Sequence, residues 1–310
     1  MGMAVKCTFC GTSEVVYVRR YSGETLCRRC FLENMVERVK ATISKYELLN
    51  PFDRIAVAVS GGKDSLSLLK ILVRIERDFP RASLVAITVD EGIPLYRDEA
   101  VENAVRFISE LGVEHRVVSF KELYGFTLTE VVESNVSRSL NLQPCTICGI
   151  LRRRALTVAA KECGASVIAT AHTLDDIVQT YLMNILRGDT RLTPIGVRRE
   201  VPGVIPRIAP FRLIPEREIV LYAYFSKIPF QTYTCPYTEL SMRDKIRSFL
   251  TEYEELFPGT LYTALSSFEK MFARSSQEDG SFCAICGEPT SRKICRACEI
   301  IELVSSRIKK

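Results

Sequence analysis

RIAVAVSGGKDS, Arg54–Ser65, changes character half-way along. Its first half is an almost unbroken apolar, β-rich run, the pattern of a strand covered on both faces in a parallel sheet. Its second half is a Gly-rich turn, and beyond it, from Asp64 to about Glu76, Leu66, Leu69, Leu72 and Val73 recur at helical spacing. A strand running through such a turn into a helix presents free backbone N–H groups at the helix N-terminus, which suits a phosphate. The turn is not a Walker A loop, which needs a Gly at the position filled here by Val57, nor is it G-x-G-x-x-G. A tight turn capped by Asp64 or Ser65, with no ligand, would use the same residues.

Downstream the alternation repeats. Ser83–Val89 reads as a strand, Asp98–Leu111 as a helix and Glu114–Ser119 as a third strand. Ile150–Cys163 is helical in spacing, Ser166–Thr170 a fourth strand, Leu174–Leu186 and Arg217–Phe225 helices, and Phe230–Thr234 the last strand. The fold class is therefore α/β, a doubly wound parallel sheet, with a helical stretch over 240–275 behind it. Ligands of open α/β sheets bind at the carboxyl edge of the strands. That edge carries SGGKDS, the end of the second strand (Thr88 to Gly92), and AHTLDD, Ala171–Asp176. Thr173, Asp175 and Asp176 also read as the cap and first turn of the following helix, where acidic residues suit the dipole. His115 has no supporting motif and reads as surface.

Ten of the twelve cysteines fall in C-x-x-C pairs, leaving Cys163, read as an inert core thiol, and Cys235. Met1–Cys10 lacks the apolar region of a signal peptide, and no run of about 18 apolar residues occurs. The expectation is a cytoplasmic protein without membrane attachment, whose paired cysteines are metal thiolates rather than disulfides. Cys7, Cys10, Cys27 and Cys30 form one four-thiolate set, and Cys283, Cys286, Cys295 and Cys298 another, each with zinc-ribbon spacing. Pieces this small bury too little surface to fold alone, and a structural Zn²⁺ contributes on the order of 10 kcal/mol. Two Zn²⁺ are expected, with a zinc module at 1–46, the α/β core at 47–240, a helical connection at 241–275 and a second zinc module at 276–310. The formal charge of +5 takes thiols as neutral. Eight thiolates against two Zn²⁺ bring it to about +1, so nucleic-acid binding has to come from local patches.

SGGKDS at this place resembles the PP-loop of the N-type ATP pyrophosphatases, which transfer AMP and release pyrophosphate. The resemblance implies that Ser60, Gly61, Gly62, Lys63, Asp64 and Ser65 hold ATP with Mg²⁺, and that Val89, Asp90 and His172 line the nucleotide site. Lys63 would neutralise leaving pyrophosphate charge, Asp64 would help hold the metal, and Asp175 or Asp176 would hold Mg²⁺ or orient substrate.

The remaining pair, Cys145 and Cys148 in PCTICG, has no second pair beside it. Cys235, at the end of the expected last strand, would reach the same sheet edge. Three thiolates without a fourth protein ligand suit a [4Fe–4S] cluster with one open iron, a persulfide relay, or a zinc site completed by another group. With these features the chain resembles the tRNA 2-thiouridine synthetases of the TtcA/TtuA/NcsA-CTU type. The resemblance runs through both zinc sets, SGGKDS, PCTICGILRRRAL, AHTLDDIVQTYLMNILRGD, EREIVLYAYFSKIPF and Cys235. CGILRRRAL and LMNILRGD look most like the wobble-uridine (NcsA/CTU) branch, while CPY at Cys235 and FPGT at Phe257 look like TtuA, which thiolates the T-loop ribothymidine. Arg152 stands where TtuA-type enzymes have a lysine.

What the resemblance implies is an ATP-dependent tRNA sulfurtransferase that adenylates the C2 oxygen of a uridine and replaces it with sulfur. It also implies a ubiquitin-like sulfur carrier with a C-terminal thiocarboxylate as donor, and a homodimer. Arg152, Arg153, Arg154, Arg187, Arg191, Arg198 and Arg199 are candidates for RNA phosphate contacts or for ion pairs. A different adenylating enzyme, or a zinc-stabilised tRNA-binding scaffold, would share many of these features.

Overall fold

The computed structural model describes residues 5–134, 141–189, 194–230, 234–237, 242–272 and 281–308. Five parallel strands, β3 (Arg54–Ala58), β4 (Ser83–Asp90), β5 (Glu114–Ser119), β6 (Val167–Ala169) and β7 (Arg207–Ile208), form a sheet in the order β5-β4-β3-β6-β7. Neighbours pair with Ala56 opposite Val85 and Ile55 opposite Val167. Because side chains alternate along a strand, Ile55 and Val57 enter one apolar cluster and Ala56 the other. Both faces are covered, which is why these strands read as apolar runs.

Helix α1 (Arg28–Lys45), α2 (Lys63–Glu76), α3 (Tyr96–Leu111) and α8 (Glu216–Phe225) cover the first face. The short α4 (Phe120–Tyr124) and α5 (Leu128–Glu133) join α6 (Pro144–Glu162) on the second. Helix α7 (Leu174–Leu186) packs against α9 (Met242–Leu256) and α10 (Thr260–Phe272), the expected helical stretch being divided near Pro258 and Gly259.

Strand order reverses between β3 and β6, so the turns that follow these two strands face each other across the switch point. The fifth strand is a correction. It is Arg207–Ile208, too short to show a period, and not Phe230–Thr234. Residues 231–233 lie outside the described residues, and Phe230 and Thr234 are not in a strand.

The N-terminal module has a hairpin, β1 (Tyr17–Arg19) with β2 (Glu24–Leu26), followed by α1. It is fastened by Glu218 of α8, a fully buried carboxylate that accepts from Arg19 Nε at 2.9 Å, from Tyr21 Oη at 2.7 Å and from Arg38. The C-terminal module pairs β8 (Ser281–Phe282) with β9 (Pro289–Thr290), and α11 (Arg296–Ile308) buries Ile300 and Val304 in the same cluster as Ile147 and Leu151 of α6. Among the described residues no helix is long and apolar enough to cross a membrane.

Candidate active site at the carboxyl edge of the sheet

Gly61 has φ +85°, and a Cβ on it would stand 2.2 Å from the carbonyl oxygen of Ala100, so the turn after β3 admits only glycine there. Gly62 caps α2 in extended conformation without a side-chain cap bond, leaving the first N–H groups of α2 for a ligand. Ser65 Oγ accepts from Ser60 N at 3.1 Å and donates to Gly62 O at 3.0 Å, which closes the turn. Buried Arg97 then donates to Ser60 O at 2.8 Å and Val89 O at 2.6 Å. The phosphate turn and the end of β4 are thereby one rigid unit, with Asp90 Oδ1 accepting from Gly92 N at 2.8 Å beside them.

Lys63 Nζ lies 3.1 Å from Asp64 Oδ2 and 2.9 Å from Glu216 Oε1. Asp64 Oδ1 is buried without a hydrogen-bond partner among the described residues, and burial holds this carboxyl above its ordinary range. Asp175 Oδ2 accepts from Glu216 N at 2.7 Å, and burial raises Asp175 to about 6. Asp176 closes a capping box: Thr173 N donates to its Oδ2 at 3.1 Å and Asp176 N to Thr173 Oγ1 at 3.2 Å. The cap reading therefore accounts for Asp176 more than for Asp175. The orphaned buried oxygen of Asp64, in the field of Glu216 and Asp176, is a hard donor that fits Mg²⁺. His172 is exposed at this edge, its Nδ1 2.8 Å from Thr170 Oγ1. His115 is not simply surface: it lies half-buried in β5 with Nε2 2.8 Å from Thr88 Oγ1.

Cys145 and Cys148 occupy the first turn of α6, which starts at Pro144 rather than at Ile150. Cys145 Sγ donates to the carbonyl of Tyr237 at 3.4 Å, two residues from Cys235. Cys148 and Cys235 pack against one apolar cluster, and burial first, with the charges of Glu91, Cys235 and Cys145 behind it, pushes Cys148 up to about 12. Cys163 is half-buried against the same cluster.

A tetrahedral zinc with bonds of about 2.3 Å sets sulfurs about 3.8 Å apart. Cys10 and Cys27 are 3.7 Å apart and Cys286 and Cys295 3.6 Å, so both terminal sets fit such an ion. Backbone N–H groups hold Cys283 at about 6, and at Cys7 they outweigh burial to the same effect, which favours the thiolates a metal needs. Among the described residues, only these two sets bring three or more donors within 4.8 Å of one another. Cys145, Cys148 and Cys235 are not such a set; Cys148 and Cys235 border one apolar cluster and Cys145 reaches Tyr237 O, and three thiols are by donor chemistry a set that fits a [4Fe–4S] cluster.

A PP-loop domain model matches residues 32–254, and a model of the 2-thiouridine synthetase TtuA N-terminal LIM domain matches residues 6–32. Cytoplasmic tRNA 2-thiolation protein 1 of Chlamydomonas reinhardtii is 37% identical, over 96% of this chain and 84% of that one. The tRNA 2-thiolation protein NcsA of Haloferax volcanii is 32% identical, over 97% and 100%. The solved U34-tRNA thiolase NcsA from Methanococcus maripaludis, with its [4Fe–4S] cluster, superposes with a TM-score of 0.85 at 30% identity, covering 97% of both chains. The chain belongs to the PP-loop tRNA 2-thiolation family.

As a member of this family, the chain places its candidate RNA arginines unevenly. Arg152 is exposed but stands 3.5 Å from Glu91, Arg154 stands 3.7 Å from Glu288 of the C-terminal module, and Arg198 is committed to Asp53 at 2.5 Å, away from the carboxyl edge. Arg153, Arg187 and Arg199 are exposed, and Arg191 lies outside the described residues. Sequence reasoning placed Glu91 at this edge but not its role as a buried carboxylate between Arg97 Nε, at 2.6 Å, and Arg152, and it missed Glu216 beside Lys63. Both sit in segments already flagged, at the end of β4 and in EREIVLYAYF, but single acidic residues give no signal until their partners fold against them.

Proposed function

We propose that this chain converts a tRNA uridine to 2-thiouridine at the expense of ATP, at the wobble position. The observation that carries this reading is the placement of Cys145, Cys148 and Cys235 beside the adenylation site. Cys148 lies in the field of Glu91, Glu91 pairs with Arg97, and Arg97 holds the phosphate turn at Ser60 O. The activities named for the relatives agree with it.

In the first step the uracil C2 oxygen bonds to the α-phosphorus of ATP and pyrophosphate leaves. The α2 N–H groups hold the phosphates, and Lys63 balances the charge gathering on the leaving group. Asp64, with Asp175 and Asp176, would hold Mg²⁺, which neutralises triphosphate charge. In the second step sulfur bonds to C2 and the C2–O bond breaks, releasing AMP with the former uracil oxygen. Cys145, Cys148 and Cys235 would hold a [4Fe–4S] cluster, which would supply an open coordination position for sulfide. Burial holds the Cys148 thiol well above its ordinary range, so its thiolate would need a bound metal or another cation beside it.

In this reading the terminal sets, in modules at 1–46 and 276–310, hold two Zn²⁺ and brace the core at 47–240 through the connection at 241–275. The sulfur donor is a ubiquitin-like carrier with a C-terminal thiocarboxylate. A homodimer has support in the exposed ladder of Phe249, Tyr253 and Phe257. A cytoplasmic location agrees with the relatives' names. Thiolation of the T-loop ribothymidine is a second reading, favoured by the TtuA-type N-terminal module; mapping the modified position separates the two.

Metal analysis after anaerobic reconstitution tests the site. The expected result is zinc at two per chain plus iron with equal acid-labile sulfide, Cys145→Ser losing the iron and keeping the zinc. Three zinc ions and no iron would contradict the cluster.

A further inference from the structure

Arginines drawn into this protein are, with two exceptions, paired with carboxylates. Arg19 and Arg38 share Glu218, Arg97 has Glu91, Arg198 has Asp53 and Arg212 has Glu269. Half-buried Arg54, Arg154 and Arg296 are paired as well. The exceptions among the described residues are Arg207 and Arg243, both half-buried with no carboxylate at salt-bridge distance.

Each is nevertheless held in place. Arg207, on the edge strand β7, donates through Nη2 to Arg153 O and Thr157 Oγ1 of α6, both at 2.6 Å. Exposed Arg153 adds a second guanidinium that also has no carboxylate partner among the described residues. Arg243, at the start of α9, donates to Gln179 Oε1 at 3.4 Å and Thr180 Oγ1 at 3.2 Å, one turn beyond the Asp175–Asp176 pair. Thr180 Oγ1, which accepts from Arg243, donates to Asp176 O at 2.7 Å, and His172 of the same AHTLDD turn lies in the field of both Arg153 and Arg243.

A guanidinium taken from water without a counter-charge is costly, and the cost shows here. Burial, then the charge of Arg153, lowers Arg207 to about 10 against a smaller opposing pull from Glu288, and burial lowers Arg243 although Asp176 and Asp244 pull the other way from beyond salt-bridge distance. An arriving anion would relieve both. Two such places near one turn, held by different elements, suit a polymer of phosphates better than one small ion.

We propose that Arg207 with Arg153, and Arg243 across the edge, are two backbone-phosphate subsites for an RNA strand passing over the adenylation site. The proposal rests on the reading of the chain as a tRNA thiolase. It assigns Arg207 and Arg243 to substrate binding and leaves ATP to the α2 turn.

The test uses the full-length, metal-loaded protein and an unmodified tRNA transcript, with affinity measured across a salt series. Arg207→Gln and Arg243→Gln should each make the slope of log K against log salt shallower by about 0.7, and together by about 1.4. Arg207→Lys and Arg243→Lys should keep the wild-type slope, which a purely structural role would not predict. Exposed Arg81→Gln, at the opposite edge, should change nothing, and KM for ATP should hold in all variants. Wild-type slopes in both Gln variants overturn the subsites. A raised KM for ATP with unchanged tRNA slope also overturns them and makes these triphosphate contacts. Wild-type protein that fails to bind the transcript overturns the tRNA reading itself.

Discussion

With the carbonyl of Ala100 2.2 Å from where its Cβ would stand, Gly61 has no substitute that leaves the phosphate turn in place. Gly61→Ala combines that clash with positive φ, a strain of about 1–3 kcal/mol, and should lower the melting temperature and weaken ATP binding. Gly62→Ala meets only Ser60 Oγ at 3.6 Å and should melt like wild type; thermal denaturation with and without ATP distinguishes the two glycines. Asp175 gives a prediction in pH. Its folded pKa of about 6 lies above the ordinary 3.8, so its stabilising contribution is complete below about pH 4 and is lost as pH rises through about 6. Asp175→Asn keeps an acceptor for Glu216 N and removes the titration. Between pH 4 and pH 7 the variant's urea midpoint should therefore gain on that of wild type. Parallel midpoints across this range would contradict the buried, raised carboxyl.

Elements meet in this chain through a few buried ion pairs as well as through apolar faces. The N-terminal hairpin and α1 are held to α8 by Glu218, and Glu218→Ala would strand Arg19 and Arg38 without their carboxylate. A loss of about 3–5 kcal/mol is expected, read as a lower denaturation midpoint and faster proteolysis within residues 5–45. Wild-type protection there would show that zinc alone holds the module. This contact also marks the limit of sequence reading. Strands β3 to β6 and α7 were legible because two-sided burial and helical spacing leave a period in the sequence. Strand β7 has two residues, α1 is overshadowed by the cysteine spacing around it, and the Glu218 cluster joins residues 199 positions apart.

At the scale of the whole molecule, the terminal four-cysteine modules stand at either end of the chain around a sheet whose carboxyl edge carries the Gly61–Gly62 turn and the Asp64–Lys63–Glu216 group. Cys145, Cys148 and Cys235 were legible as an incomplete ligand set, and their meeting was expected from strand ends. Cys145 reaches the carbonyl of Tyr237, two residues from Cys235, so Cys235 comes near the start of α6 on a segment that is not the expected strand. The central claim is that this edge makes 2-thiouridine from ATP and sulfur held at those cysteines. Nucleoside mass spectrometry of tRNA incubated with the reconstituted protein, ATP, Mg²⁺ and sulfide, with the modified position mapped by fragment, tests it most directly. The account predicts 2-thiouridine at the wobble position with wild type, and none with Cys235→Ser, which still binds ATP. Absence of 2-thiouridine with wild type, or wild-type yield from Cys235→Ser, would contradict it.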